Sequence, residues 1–148
     1  MRNNVLYNLV PLYPVRVQLT DGIYLVKRKS DFLVIDHYGV MIVGKPLRIL
    51  GYSDESPLVF HLMDVGFQVD WLETFGKSDV LRKVDSTQEL QAINRLRFAS
   101  NNLNHWRVKN NCEHFARFVA EGIAQSIQLQ NVTALGLLAG LFILANNK

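Results

Sequence analysis

The sequence predicts an α+β domain in which an antiparallel β-sheet is followed by helices. The first half of the chain breaks into short apolar runs separated by Gly, Pro, Asp and Ser, the punctuation of strands and turns. The second half carries apolar residues at helical spacing behind capping residues. Strands first and helices later fit the α+β class.

In chain order, residues 15–19 alternate apolar with polar side chains and stop at the turn signal Thr20-Asp21-Gly22. Residues 23–26 and 32–35 are short apolar runs around the basic Lys27-Arg28-Lys29. Tyr38-Gly39-Val40-Met41-Ile42-Val43 is rich in β-formers and ends at Gly44-Lys45-Pro46. Residues 47–50 are expected to continue the sheet before Gly51, and 53–57 form a loop. Leu58-Val59-Phe60-His61-Leu62 is the next strand, and 66–69 another. Ser86-Thr87-Gln88-Glu89 fits a capping box ahead of a helix carrying Leu90, Ile93, Leu96, Ala99 and Leu103. A second helix is expected from Asn110 or Asn111, with Phe115, Phe118, Val119, Gly122 and Ile123 along its apolar face.

Composition excludes several classes. A chain of 148 residues suits one domain and can bury a core without disulfides or metals. With 49% hydrophobic and 20% charged residues it is not disordered throughout. A net charge of +3 does not demand a nucleic-acid partner, and none is expected. The one cysteine, Cys112, excludes an intrachain disulfide and a cysteine-rich zinc site. The apolar stretch near Met1 is too short and interrupted for a secretory signal, so a reducing, cytoplasmic setting is expected.

The C-terminus differs from the rest. Residues 132–145 carry no charge. As a helix they span roughly 21 Å, short of the roughly 30 Å of a bilayer core. Gly136 and Gly140, four apart, permit close helix packing. The segment reads as a buried helix, a membrane-dipping anchor or an oligomerisation helix. The domain division that follows is 1–125 as one domain and 126–148 as an apolar C-terminal helix or membrane-associating tail.

The most informative segment is Asn110-Asn111-Cys112-Glu113-His114-Phe115-Ala116. An Asn cap puts Cys112 in the first turn of a helix, where unpaired amides and the positive dipole end stabilise a thiolate. The same amides can hold the oxyanion of a tetrahedral intermediate. A thiol nucleophile also needs a base, usually a histidine oriented by a third polar group. The histidines are His37, His61, His105 and His114. His114 lies about 200° around the helix from Cys112, which makes it a poor base. A metal site from His105, Cys112 and His114 has poor geometry, so neither metal nor cofactor is expected.

Asn111-Cys112-Glu113-His114-Phe115 resembles the signature of the lecithin retinol acyltransferase-like (NC-domain) family, a circularly permuted branch of the papain-like, NlpC-type thiol superfamily. That family's His-Tyr strand and its later strand histidine are similar to His37-Tyr38-Gly39-Val40-Met41-Ile42-Val43-Gly44 and Val59-Phe60-His61-Leu62. Trp71-Leu72-Glu73-Thr74-Phe75 and Val80-Leu81-Arg82-Lys83-Val84 look like its segment between sheet and helices, and residues 47–57 read as an insertion or extra edge strand. The resemblance spans about residues 21–122.

The resemblance implies Cys112 as nucleophile, His37 as base and His61 as the group orienting His37. It implies supporting or pocket roles for Asn111, Glu113 and Tyr38. The expected chemistry is thiol acyltransfer or phospholipase-type hydrolysis of lipid acyl esters through a Cys112 acyl-thioester. The Cys112–His37 pair is expected to titrate near neutrality. Partners would be a lipid or other acyl substrate and a membrane surface met through 132–145, with peripheral or tail-anchored attachment. Lys27-Arg28-Lys29 and Arg107-Val108-Lys109 would favour an anionic surface. Two rival expectations are a cysteine peptidase or amidase, with a polar open cleft, and an inactive membrane- or partner-binding module on the same fold.

Overall fold

The computed structural model describes residues 19–30, 36–102 and 111–128, together with 130, 131 and 133. All but the last residue of the run at 15–19, the run at 32–35, the end of the first helix at Leu103, His105, the Arg107–Lys109 patch and most of the 126–148 tail lie outside them. Among the described residues no helix is long and apolar enough to cross a membrane.

Five strands form one antiparallel sheet. They are β1 (Gly22–Lys29), β2 (Asp36–Val43), β3 (Leu58–Met63), β4 (Gly66–Trp71) and β5 (Asp79–Lys83), in the order β4-β3-β2-β1-β5. Two short helices, α1 (Lys45–Ile49) and α2 (Leu72–Phe75), interrupt them. A 3-10 turn (Ser86–Gln88), α3 (Glu89–Asn102) and α4 (Cys112–Glu121) follow. The α+β class with sheet before helices is therefore observed.

Side-chain alternation divides the sheet into two faces. Ile23, Leu25, Tyr38, Val40, Ile42, Leu58, Phe60 and Leu62 point one way and meet α3 and α4 through Ile93, Leu96, Phe115 and Val119. Tyr24, Val26, Met41 and Val59 point the other way and are covered by Leu72 and Phe75 of α2. Gly39 makes this second packing possible. A Cβ there would come within 2.7 Å of the Val59 side chain and 3.3 Å of the Phe75 ring.

Four local expectations are corrected. Residues 47–50 do not continue the sheet, and 47–57 hold no extra edge strand. Gly44 ends β2 at φ +68°, where a Cβ would run into the Asp21 carboxylate. Pro46 then stands in the first turn of α1, with its φ already helical and no amide to lose, and Leu47 points into the core. The cap before α3 is Asp85, whose Oδ1 accepts from the Thr87 amide at 2.8 Å, so Ser86 begins the 3-10 turn and Leu90 is left exposed. Residues 79–83 are not a link beyond the sheet but its edge strand, paired with β1. Finally, α4 stops at Glu121, because Gly122 takes a left-handed conformation and its amide bonds back to the Phe118 carbonyl, which leaves Ile123 exposed.

Candidate active site

Asn111 caps α4 as its sequence position predicts. Its backbone is extended (φ −92°, ψ 177°), and its Oδ1 accepts from the His114 amide at 3.0 Å. Cys112 therefore occupies the first residue of the helix. Its side chain is held in the core cluster of the helix-covered face, with 6% of the residue exposed. The backbone N–H groups of Tyr38 and Glu113 favour its anion, but burial outweighs them and pushes the thiol pKa up. The helix start stabilises the thiolate as expected of its position, but desolvation outweighs it and keeps the thiol above its ordinary range.

The two strand histidines are joined. His37 Nε2 lies 2.9 Å from His61 Nδ1, and His61 Nε2 lies 2.9 Å from Asp70 Oδ2. Sheet register builds this chain: His37 near the start of β2, His61 in β3 and Asp70 in β4 share one face. Phe75 packs under both rings, with centroids 5.6 Å from His37 and 5.2 Å from His61.

The carboxylate fixes the proton positions along the chain. An ionised Asp70 can only accept, so His61 Nε2 carries a hydrogen and donates. Neutral His61 then has a bare Nδ1, which accepts from His37 Nε2–H. That leaves the lone pair of His37 on Nδ1, the nitrogen free to take up a proton. Burial, His61 and Arg28 together push the pKa of His37 down to about 4. Burial also lowers that of His61, against the opposing pull of Asp70. Both rings are thus neutral at pH 7, and the expectation of a pair titrating near neutrality is corrected.

Cys112 and the histidine chain meet at β2. The Tyr38 backbone amide, one peptide bond from His37, is one of the groups that favour the Cys112 anion. The side chains of residues 37 and 38 leave the strand on opposite faces, and no hydrogen bond joins Cys112 to His37 among the described residues. Catalytic contacts in ligand-free enzymes are commonly longer than those formed with substrate.

The remaining candidates hold this junction together. Glu113 is fully buried and carries three bonds: from Arg117 Nε at 2.9 Å, Ser126 Oγ at 2.7 Å and the Gln128 amide at 3.1 Å. Burial alone would raise its pKa, but these donors hold it below the usual carboxylate range. Gln128 in turn clamps the Asp36 backbone from both sides, through Asp36 N to Oε1 at 2.7 Å and Nε2 to the Asp36 carbonyl at 3.1 Å. Glu113 thus positions the residue next to His37 through the chain beyond α4. Tyr38 lies buried under the Arg117 guanidinium, 5.9 Å from its ring centre, in a packing role. His114 Nδ1 meets Asn111 Oδ1 at 3.0 Å and supports the cap.

Sequence reasoning missed Asp70 and Gln128. Asp70 had a signal: Phe67-Gln68-Val69-Asp70 alternates as a half-buried strand, which places Asp70 on the face opposite Phe67 and Val69. Gln128 had none, because its partner is a backbone 92 positions away. Among the described residues no group of three or more His, Cys, Asp or Glu is arranged to hold a metal ion. No family model, curated protein or solved structure was found to match the chain.

Proposed function

We propose that this protein is a thiol acyltransferase or phospholipase-type hydrolase acting on lipid acyl esters, built as a circularly permuted papain-like domain. The observation that carries the reading is the His37–His61–Asp70 chain, which leaves the lone pair of His37 on Nδ1, one residue from the Tyr38 amide that favours the Cys112 thiolate. The His37, His61, Cys112 order and the Asn111–Phe115 signature support the same family.

With thiol and imidazole both neutral at rest, His37 Nδ1 takes the thiol proton as the sulfur attacks the ester carbonyl. Backbone amides in the first turn of α4 receive the oxyanion. On collapse, His37 gives the proton to the departing alcohol, and Cys112 keeps the acyl group as a thioester. An alcohol, amine or water, deprotonated by His37, then takes the acyl group and frees the thiol. Asp70 keeps the tautomers in order through His61 without meeting substrate. The uncharged segment 132–145 and the basic Lys27-Arg28-Lys29 support work at a cytoplasmic membrane surface.

Intact-mass measurement after incubation with short-chain phosphatidylcholine tests the reading. The expected result is a gain of one acyl chain that disappears in Cys112→Ser. A folded wild-type protein that takes up no acyl group and does not react with iodoacetamide at neutral pH would contradict it.

A further inference from the structure

Among the described residues, the start of β2 has a strand on one side only. β1 pairs with β2 along its whole length, whereas the ladder to β3 covers Val40–Ile42. In an antiparallel ladder the N–H and C=O groups of alternate residues turn to the same side, so those of Asp36 and Tyr38 share one edge of β2. On that edge the side-chain amide of Gln128 stands where a partner strand would. Its Oε1 accepts from the Asp36 N–H at 2.7 Å, and its Nε2 donates to the Asp36 carbonyl at 3.1 Å. Two residues further along, the Tyr38 N–H favours the Cys112 anion. His37 sits between these two positions.

Gln128 is itself fixed. Residues 127, 128, 130, 131 and 133 are helical, and the Gln130 amide bonds back to the Ser126 carbonyl at 3.1 Å. The start of this helix is capped from α4: one oxygen of the buried Glu113 carboxylate accepts from the Gln128 amide at 3.1 Å and from Ser126 Oγ at 2.7 Å. Arg117 holds the other oxygen at 2.9 Å. Glu113 follows Cys112 in the chain, and Asp36 precedes His37. Glu113 and Gln128 thus form a bridge from the neighbour of the thiol to the neighbour of the imidazole. The Asp36 carboxylate bonds Lys27 and Lys29 instead, which ties this end of β2 to β1 and not to α4.

We propose that Gln128 is a positioning residue for His37: it sets the start of β2 against the start of α4, and with it the approach of base to thiol. The role rests on the reading of Cys112 and His37 as nucleophile and base. Gln128 meets no substrate in this account and acts only through the Asp36 backbone.

The test is nitrogen NMR of the full chain with 15N-labelled histidine rings, at neutral pH and without substrate. Wild type should show His37 as one tautomer, with its hydrogen on Nε2 and bonded to His61. Gln128→Met keeps the length of the side chain and removes both bonds to Asp36. It should mix in the Nδ1–H tautomer of His37 and slow acyl uptake by about tenfold or more, the scale of a small misplacement. Gln128→Glu still accepts from the Asp36 amide but has no hydrogen for its carbonyl, and should fall between wild type and Gln128→Met. The ring signals need no substrate, so this result is separate from the acyl-uptake test of the nucleophile. Wild-type ring signals in Gln128→Met overturn the proposal, whatever its acyl-uptake rate. So does a change in ring signals matched by equal changes at the Phe115 and Val119 amides, which reports a disturbed core and not a displaced base.

Discussion

The two faces of this sheet use the same strands for different ends. The face under α3 and α4 is closed: Val40, Ile42, Leu62, Phe115 and Val119 are all fully buried. Among the described residues the opposite face is covered by α2, and around that small apolar patch stand His37, His61, Asp70 and Arg28. Packing on the first face sets stability, and polar register on the second sets chemistry. Cys112 belongs to the closed face by burial, in the same core as Tyr38 of β2, whose amide favours its anion. Tyr38, which shares that core with Cys112, is the strand neighbour of His37, whose side chain leaves on the opposite face.

Substitutions can separate the two faces, beginning with the largest effect. Cys112→Ser should abolish acyl uptake, seen by intact mass, while its urea midpoint stays close to wild type. Phe115→Ala should destabilise the fold by roughly 3–5 kcal/mol in urea unfolding, because it empties the centre of the closed face. A fall below about 1 kcal/mol would mean that α4 is not packed on the sheet as described.

The histidine face should respond to pH. His37 stays neutral in the folded chain down to about 4, whereas the unfolded residue takes up a proton near 6.5. Between those values the unfolded chain binds more protons, so stability falls as pH falls, by roughly 3 kcal/mol once pH is below both. Urea midpoints at pH 7 and near pH 4.5 should show the loss in wild type and a smaller one in His37→Gln. Equal losses would place the titrating group elsewhere.

The smallest effect isolates Asp70. In Asp70→Ala, His61 can carry its hydrogen on Nδ1 and donate to His37 Nε2, which puts the hydrogen of His37 on Nδ1, the wrong nitrogen for a base. Acyl uptake should slow by about tenfold or more. Asp70→Asn, whose Oδ1 still accepts, should recover part of the rate. If both variants matched wild type, the carboxylate would have no positioning role.

Much of this was legible in the chain. The β-rich run Tyr38–Val43 and the apolar run Leu58–Leu62, each bounded by turn residues, marked the central strands, and Asn111 before Cys112 marked the helix start, because these signals are local. The short helix at Lys45–Ile49 was missed because Leu47 and Leu50 suit a strand as well as a helical turn, and Pro46 decides between them. For the site, His37, His61 and Cys112 were named, but the expected titration near neutrality left out their burial. Helix-end electrostatics can be read from sequence, whereas the burial that outweighs it at Cys112 is a property of the assembled core. Asp70 joined the histidines only once the β3–β4 register was known.

The central claim is that His37 serves the Cys112 thiol as its base. The direct measurement is the rate of Cys112 alkylation by iodoacetamide at pH 7 in wild type and in folded His37→Gln. The account predicts that the wild-type thiol reacts faster by at least about tenfold, the low end of what a positioned base supplies. Equal rates in the two proteins would contradict it.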